Sequence, residues 1–333
     1  MRLQLGKLVA ACALVVPMTM VAAPAQAAYP EQPVRWIVPY PPGGGSDAVS
    51  RMLGETITRQ SGQPVNVENR PGGSTSLAAA ETARAKPDGY TVLWADNATL
   101  VFNPALYKRL SYNPETDLAP VALLGSFPMV LVVSPDSGIR NLDDLIERAR
   151  AEKKRGGLAY ASAGAGGAHH LAMELLNSEL DLGMTSIPYT GAGPALADLA
   201  KGQANVMMVD IAAGARSIQE GKVRPVAVAS TKRLPQLPDV PTFAELGYPN
   251  IVASVFASVA TTGGTPGEVI QEMHQAIVKA LNEPAVMSKL TALGIQGVGD
   301  APLGATPEQM QAMLQSERAR WQKLIKDRNI SLD

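Results

Sequence analysis

Three stretches of the chain share one design, in which a short apolar run leads into a glycine-rich loop that opens a helical pattern. They are Pro42-Gly43-Gly44-Gly45-Ser46-Asp47, entered through Tyr40; Ser162-Ala163-Gly164-Ala165-Gly166-Gly167; and Tyr189-Thr190-Gly191-Ala192-Gly193-Pro194. Glycine lets the backbone approach a ligand closely, and the first turn of a helix leaves N–H groups without intrahelical partners at its positive end. Such loops hold a carboxylate or a phosphate without a permanent counter-charge. Each one alone is also an ordinary strand-to-helix turn. Three together, one early in the chain and two later, point to an anion site in a cleft between two domains. None of the loops spells G-x-G-x-x-G with an acid about 20 residues on, and none ends in the Lys-Ser/Thr of a nucleotide-phosphate loop, so no cofactor is expected.

Other reactive side chains are sparse. Asp47 follows the glycines at a helix start, where it either stabilises the first turn through the helix dipole or orients a ligand. His169 and His170 are adjacent on a predicted helix, so their side chains diverge by about 100° and no metal site is expected from them. His169 is expected to donate to the loop or to cap the helix. Ser46 or Ser162 paired with His169 would make a hydrolase of small esters, but the chain has no G-x-S-x-G elbow. No catalytic residue is expected.

The elements that must position these loops follow from hydrophobic periodicity. Val34 to Val38 reads as a strand. Val49, Met52, Leu53 and Ile57 fall at helical spacing up to Gly62, and Val65 to Glu68 is the next strand. An alanine-rich helix from Leu77 to Ala85 leads through Pro87-Asp88-Gly89 to a strand at Thr91 to Ala95. A strand pair is expected at Val121 to Leu124 and Val130 to Val133. A helix capped by Asn141 follows, and then strands near Leu158 to Ser162, Thr185 to Pro188, Val206 to Val209 and Val226 to Ala229. The chain returns to the first half near Ile251 to Ala260. The last two helices are read from Thr265-Pro266-Gly267-Glu268 and Thr306-Pro307-Glu308-Gln309, each with a threonine N-cap. Ile270, Met273, Ile277 and Leu281 form a stripe for core packing. This alternation is that of an α/β protein with mostly parallel sheets.

Composition sets the class. Arg2 and Lys7 precede an apolar run from Leu8 to Val21 that closes on Ala25-Gln26-Ala27, the pattern of an export signal cleaved after Ala27. Cys12 is the only cysteine and lies within that segment, so the chain from Ala28 onward has neither disulfide nor thiolate; lipidation at Cys12 is a minor reading. The apolar run is shorter than the roughly 20 residues of a bilayer span, so a soluble exported protein is expected. About 306 of the 333 residues remain, enough for two domains. They are drawn as residues 28–128 with 251–333, and residues 129–250. A formal net charge of -1 argues against nucleic acid as a partner.

With these motifs assembled, the chain resembles the substrate-binding proteins of tripartite tricarboxylate transporters, the TctC-like or Bug family of periplasmic receptors. The resemblance runs through YPEQPVRWIVPYPPGGGSD, VENRPGGS, KPDGYTVL, YASAGAGGAHHLAMELL, IPYTGAGPALADLAKGQANVMMVD and VAVASTKRLPQLPDVPTFAELGYP, essentially the whole chain after the export signal. It implies a two-domain, type II periplasmic-binding (Venus flytrap) architecture that closes on a ligand carboxylate. By matching position it implicates Gly43, Gly44, Ser46 and Asp47, then Ser162, Gly164, Gly166, Gly167, Tyr189, Thr190 and Gly191, with Tyr40 and His169 beside them. Asp210, at the end of its strand, is implicated too and reads equally as the N-cap before Ile211. Two departures stand out: Gly167 and Ala168 where relatives often carry a hydroxyl, and Phe256 and Thr262 near the return crossing. The implied function is capture of a small carboxylate, a mono- or dicarboxylate, aromatic acid or acidic amino acid, by a monomer. The ligand is then handed to membrane transporter subunits or presented to a sensor.

Overall fold

The computed structural model describes residues 29–333, so the export signal and its cleavage site lie outside the described residues. The first unit is β1 (Val34–Val38), α1 (Gly45–Ser61) and β2 (Val65–Asn69), with β1 and β2 parallel from Val34 opposite Val65 to Val38 opposite Asn69. Gly62 ends α1 at φ 77°, its N–H bonded to the Thr58 carbonyl, a left-handed stop that glycine adopts without steric cost. Next come α2 (Ser76–Ala83) and β3 (Thr91–Asp96), the latter parallel to β1. Ala78, Ala79 and Ala80 are buried, as close packing of this helix on the sheet requires. A π-helical turn over Ala98–Phe102 then runs into α3 (Asn103–Leu106), a segment with no expectation from sequence.

The expected strand pair is instead one strand, β4 (Leu118–Val133), 16 residues long. Gly125 and Pro128 read as turn signals, and each has another use. Gly125 sits at φ 137° beside a register shift, where a Cβ would lie 2.6 Å from Ile295 Cγ1. Pro128, which has no N–H to donate, stands where the strand changes neighbours. Beyond it follow α4 (Leu142–Glu152), β5 (Ala159–Ser162), α5 (Ala168–Glu179), β6 (Thr185–Pro188), α6 (Ala192–Ala200), β7 (Val206–Asp210), α7 (Ile211–Gln219), β8 (Arg224–Val228) and β9 (Ser254–Thr262). Asn141 caps α4 as expected, its side chain accepting from the Asp144 N–H.

The sheet order is β2-β1-β3-β9-β4-β7-β5-β6, with β8 also on β4. Up to Pro128, β4 lies antiparallel to β9; from Met129 onward it lies antiparallel to β7. One apolar cluster, from Ile37 and Leu93 through Leu131 to Tyr160 and Trp321, runs under both halves of the sheet. On the opposite face the halves keep separate cores, one around Trp36 and Leu53 and one around Val132 and Met207.

Three helices close the chain: α8 (Gly267–Leu281), α9 (Pro284–Ala292) and α10 (Pro307–Asp327). The sequence reading passed over α9, which begins with proline and buries only Val286 and Leu290. The expected cap of α8 is corrected. Pro266 is the N-cap residue, and Thr265 turns its hydroxyl back to the Thr262 carbonyl at the end of β9. Thr306 and Gln309 form the full reciprocal capping box on α10. Met273, Ile277 and Leu281 are buried against the first half, with Ile270 partly buried beside them.

Replacing Gly125 by alanine is expected to lower unfolding free energy by on the order of 2 kcal/mol, from left-handed strain and overpacking. Thr306→Ala is expected to cost about 1 kcal/mol through loss of the cap. Urea denaturation of the two variants reads both values, and Gly125→Ala should be the larger.

Candidate functional site

Beyond the carboxyl ends of the parallel strands β1, β3 and β5, where open α/β sheets bind ligands, lies a cavity of about 260 Å³. One wall comes from the first half: Tyr40 after β1, Ser74 and Thr75 before α2, Asp96 at the end of β3 with Asn97 and Ala98 after it, and Asn103. The facing wall is the loop Ala163 to Gly167 with Ala168 and His169 of α5, and Val255 of β9 completes it. Among the described residues no lysine or arginine lines the space.

The first wall is a cross-linked polar network. Asn69 donates from Nδ2 to the Tyr40 carbonyl and to Asp47 Oδ1, 3.0 Å each, which ties the ends of β1 and β2 to the start of α1. The Tyr40 hydroxyl donates to Asp96 Oδ2, and Asp96 Oδ1 accepts from the Thr99 N–H at 3.1 Å. Burial raises the Asp96 carboxyl above its ordinary value, while the bonds from Tyr40 and Thr99 offset part of that rise. Burial, with the nearby Asp96 charge, likewise pushes the Tyr40 phenol well up, so Tyr40 stays a neutral donor. Thr99 Oγ1 is 2.9 Å from Thr75 Oγ1, and Asn103 Nδ2 donates to the Ser74 carbonyl at 2.7 Å. These bonds hold a strained run: Gly72, Gly73, Ser74 and Thr75 all have positive φ, including 77° for the β-branched Thr75. Asn97 is spent on the start of β9, accepting from the Phe256 N–H at 2.8 Å and donating to the Ser254 carbonyl.

The facing wall supplies donors. Gly167 is the N-cap of α5 with extended backbone and no capping side chain, so the first-turn N–H groups of Ala168 and His169 are left to the cleft. His169 Nε2 is 3.0 Å from Asp210 Oδ2, while Asp210 Oδ1 accepts from the Ala213 N–H. Burial raises the Asp210 carboxyl, but His169 and the Ala213 N–H outweigh it and leave the group below its usual range. Asp210 is therefore the N-cap of α7 and the anchor of His169, and it does not line the cavity.

Of the residues singled out from sequence, Tyr40, Gly164, Gly166, Gly167 and His169 come together here. Gly43 and Gly44 are exposed and Ser46 half-buried, away from the cavity lining. The Gly43 N–H is taken by Asp47 Oδ2 at 2.9 Å, and Arg51 and that N–H hold the Asp47 carboxyl down to about 2. Asp47 thus shapes its own loop. Ser162 is buried behind the second loop, 3.3 Å from Ser186 through its hydroxyl. Tyr189, Thr190 and Gly191 flank the cavity without lining it; a Cβ on Gly164 would lie 3.9 Å from the Tyr189 carbonyl. Among the described residues His169 Nε2 lies against Asp210 and the Ser162 hydroxyl against Ser186.

Sequence reasoning missed Ser74, Thr75, Asp96, Asn97, Ala98, Asn103 and Val255. Two signals were available: the Pro71-Gly72-Gly73-Ser74 turn, and an Asp-Asn pair at the carboxyl end of a parallel strand.

The chain belongs to the tripartite tricarboxylate transporter family of receptors: the family described as "Tripartite tricarboxylate transporter family receptor" matches residues 49–330. Protein BugT of Bordetella pertussis is 34% identical, covering 99% of this chain and 100% of its own. A protein of R. palustris solved with adipate is 30% identical with a TM-score of 0.79, over 90% of this chain and 97% of its own. MatC from Rhodopseudomonas palustris, solved with bound malate, is 31% identical with a TM-score of 0.78, over 89% of this chain and 100% of its own. The fold is that of the two-domain periplasmic binding proteins.

The second loop is also tied to a titrating group. The Gly166 N–H donates to His170 Nδ1 at 3.0 Å, and burial holds His170 below its ordinary 6.5, with Glu174 pulling the other way. The folded protein therefore resists protonation that the unfolded chain accepts, so the stability tied to His170 is complete above about pH 6.5 and shrinks as the pH falls through that value. The melting temperature is expected to drop between pH 7.5 and 5.5, and less so in His170→Gln. Parallel melting curves for the two proteins would refute the linkage.

Proposed function

We propose that this protein is a periplasmic receptor that captures a small dicarboxylate between its two halves and delivers it to the membrane subunits of a tripartite tricarboxylate-type transporter, without chemistry on the ligand. The observation that carries this reading is the start of α5: first-turn amides with no capping side chain, on residues that line a cavity to which the described residues bring no lysine or arginine. Backbone N–H groups at a helix start hold a carboxylate by charge-assisted hydrogen bonds worth about 1.5–3 kcal/mol each. The volume of about 260 Å³ falls below the roughly 300–1,000 Å³ of sites for drug-sized ligands, which favours a compact acid. Relatives solved with adipate and malate point to the same class. No helix among the described residues is long and apolar enough to cross a membrane.

In this reading residues 28–128 with 251–333 form one domain and residues 129–250 the other. The hinge lies where β4 exchanges β9 for β7, between Pro128 and Met129, and in the returning segment at Ile251 to Ala253. A ligand that bonds both walls favours the closed arrangement, and that difference in affinity drives closure.

A thermal-shift screen of mono- and dicarboxylates, aromatic acids, acidic amino acids and neutral sugars tests the proposal. A dicarboxylate at a hundredfold excess over Kd is expected to raise Tm by on the order of 5 °C. A response to sugars alone would sink the anion assignment. Ala168→Pro is the sharper probe. Proline is tolerated at the first helical position and Gly167 already has extended backbone, so the variant removes one N–H and leaves the helix intact. Affinity is expected to fall roughly tenfold or more, with the melting temperature of the unliganded protein unchanged.

A further inference from the structure

We propose that the segment 328–333 is a clasp between the two halves: the Arg328–Glu174 ion pair and the seat of Leu332 on Gly166 hold α5 where its amides meet the cavity, and both contacts part when the halves separate. The inference rests on the division into two halves that move against each other. It does not depend on which ligand the cleft takes.

The segment is anchored in the first half. The Ile330 N–H turns back to the Ile325 carbonyl of α10 at 3.0 Å, and the Leu332 N–H bonds the Leu106 carbonyl of α3 at 3.0 Å. The Lys108 N–H donates to the Asp333 side chain. None of these bonds involves the second half. From this base two side chains reach across. Leu332 Cδ1 comes within 2.7 Å of the place a Cβ on Gly166 would take, room that only glycine leaves. Arg328 Nε donates to Glu174 Oε2 on α5 at 2.8 Å.

Glu174 is buried, 7% exposed. Its Oε1 accepts from the Tyr160 hydroxyl at 2.5 Å and from Asn177 Nδ2 at 3.5 Å, both in the second half. Burial holds His170, one turn back on α5, below its ordinary value, so it brings no charge near neutral pH. Among the described residues the only cation bonded to Glu174 is Arg328. When the halves separate, Glu174 therefore keeps two neutral donors and loses its counter-charge, and a buried carboxylate stripped of its partner is strongly destabilising. The clasp grips α5 and its loop at Glu174 and Gly166. A ligand grips the same helix at different atoms, the first-turn amides of Ala168 and His169. Each favours the arrangement that the other needs, so clasp and ligand are coupled without touching.

Cys12 is the only cysteine and precedes Ala28, so the chain from there on accepts two spin labels without interference. Nitroxides on Glu55→Cys in α1 and Glu147→Cys in α4, both exposed positions, report the separation of the halves by pulsed electron paramagnetic resonance. The otherwise unaltered, unliganded protein is expected to show one narrow distance. Arg328→Ala, at a side chain that is partly exposed, is expected to add a second, longer population; Arg328→Lys, which keeps the charge, is expected to retain the single one. Leu332→Ala serves as a second, independent variant with the same expectation as Arg328→Ala. Malate is expected to return Arg328→Ala to the narrow distance and to bind it about tenfold more weakly than the unaltered protein, because part of its binding energy goes into closing the halves. Distances that stay the same in both Arg328→Ala and Leu332→Ala would overturn the clasp. If malate nevertheless shifts the distance in the unaltered protein, the halves move and the clasp alone is wrong; if nothing shifts it, the division into moving halves falls as well. A variant that opens but ignores malate supports the clasp and counts against the dicarboxylate reading.

Discussion

The structure depends on one unbroken strand. β4 carries its backbone hydrogen bonds from β9 to β7 within 16 residues, so one strand joins the two halves of the sheet. The apolar cluster beneath both halves restricts where they can sit relative to one another. The separate cores on the other face leave room for adjustment there. A glycine in left-handed conformation and a proline at the change of neighbours let such a strand bend without losing a partner. The cavity exists because the helices on either side of this spine start at its edge.

Three loops of similar sequence turn out unequal in chemistry. In the first, Asp47 consumes the Gly43 N–H and is itself bound by Arg51 and Asn69. In the second, the Gly166 N–H is consumed by His170, but the amides two and three residues further on belong to Ala168 and His169, which line the cavity. The third borders the second without reaching the cavity. What the first two share is a side chain four residues after the amide. An aspartate or a neutral histidine there accepts the N–H, and composition of the loop alone does not reveal it.

Much of the fold was legible because it follows from local periodicity and local caps. The β1–α1–β2 unit, the Gly62 stop, the Asn141 cap and the capping box at Thr306 are decided within a few residues of sequence. β4 was read as two strands because Gly125 and Pro128 carry the same local signal in a turn as in a bulge or a change of neighbours. Thr265 resembled a cap as closely as Thr306 did, and only the nearby end of β9 diverts its hydroxyl. Within the site, the glycines were visible from sequence and the polar wall was not. Thr75, Asp96, Thr99, Asn103 and Tyr112 are unremarkable polar residues until sheet order brings three separate segments together.

Gly166 shows how the donor wall is held in place. A Cβ there would lie 2.7 Å from Leu332 Cδ1 and 2.9 Å from Leu106 Cδ1, and the residue sits at φ 70°. Glycine is needed at this position for packing against the C-terminal tail and the end of α3, more than for approach to a ligand. That tail is itself pinned to the first half, with the Leu332 N–H bonded to the Leu106 carbonyl and the Lys108 N–H to the Asp333 side chain. Three residues after Asn329, and from the same segment that closes α10, it meets a loop of the other half. Arg328 adds an ion pair of 2.8 Å to Glu174 on α5, whose other oxygen accepts from Tyr160. The helix that offers its amides to the cleft is thereby braced from behind by the first half, at a point remote from the spine of β4. The donor wall is thus attached to the first half in two places, through β4 and through the C-terminal tail.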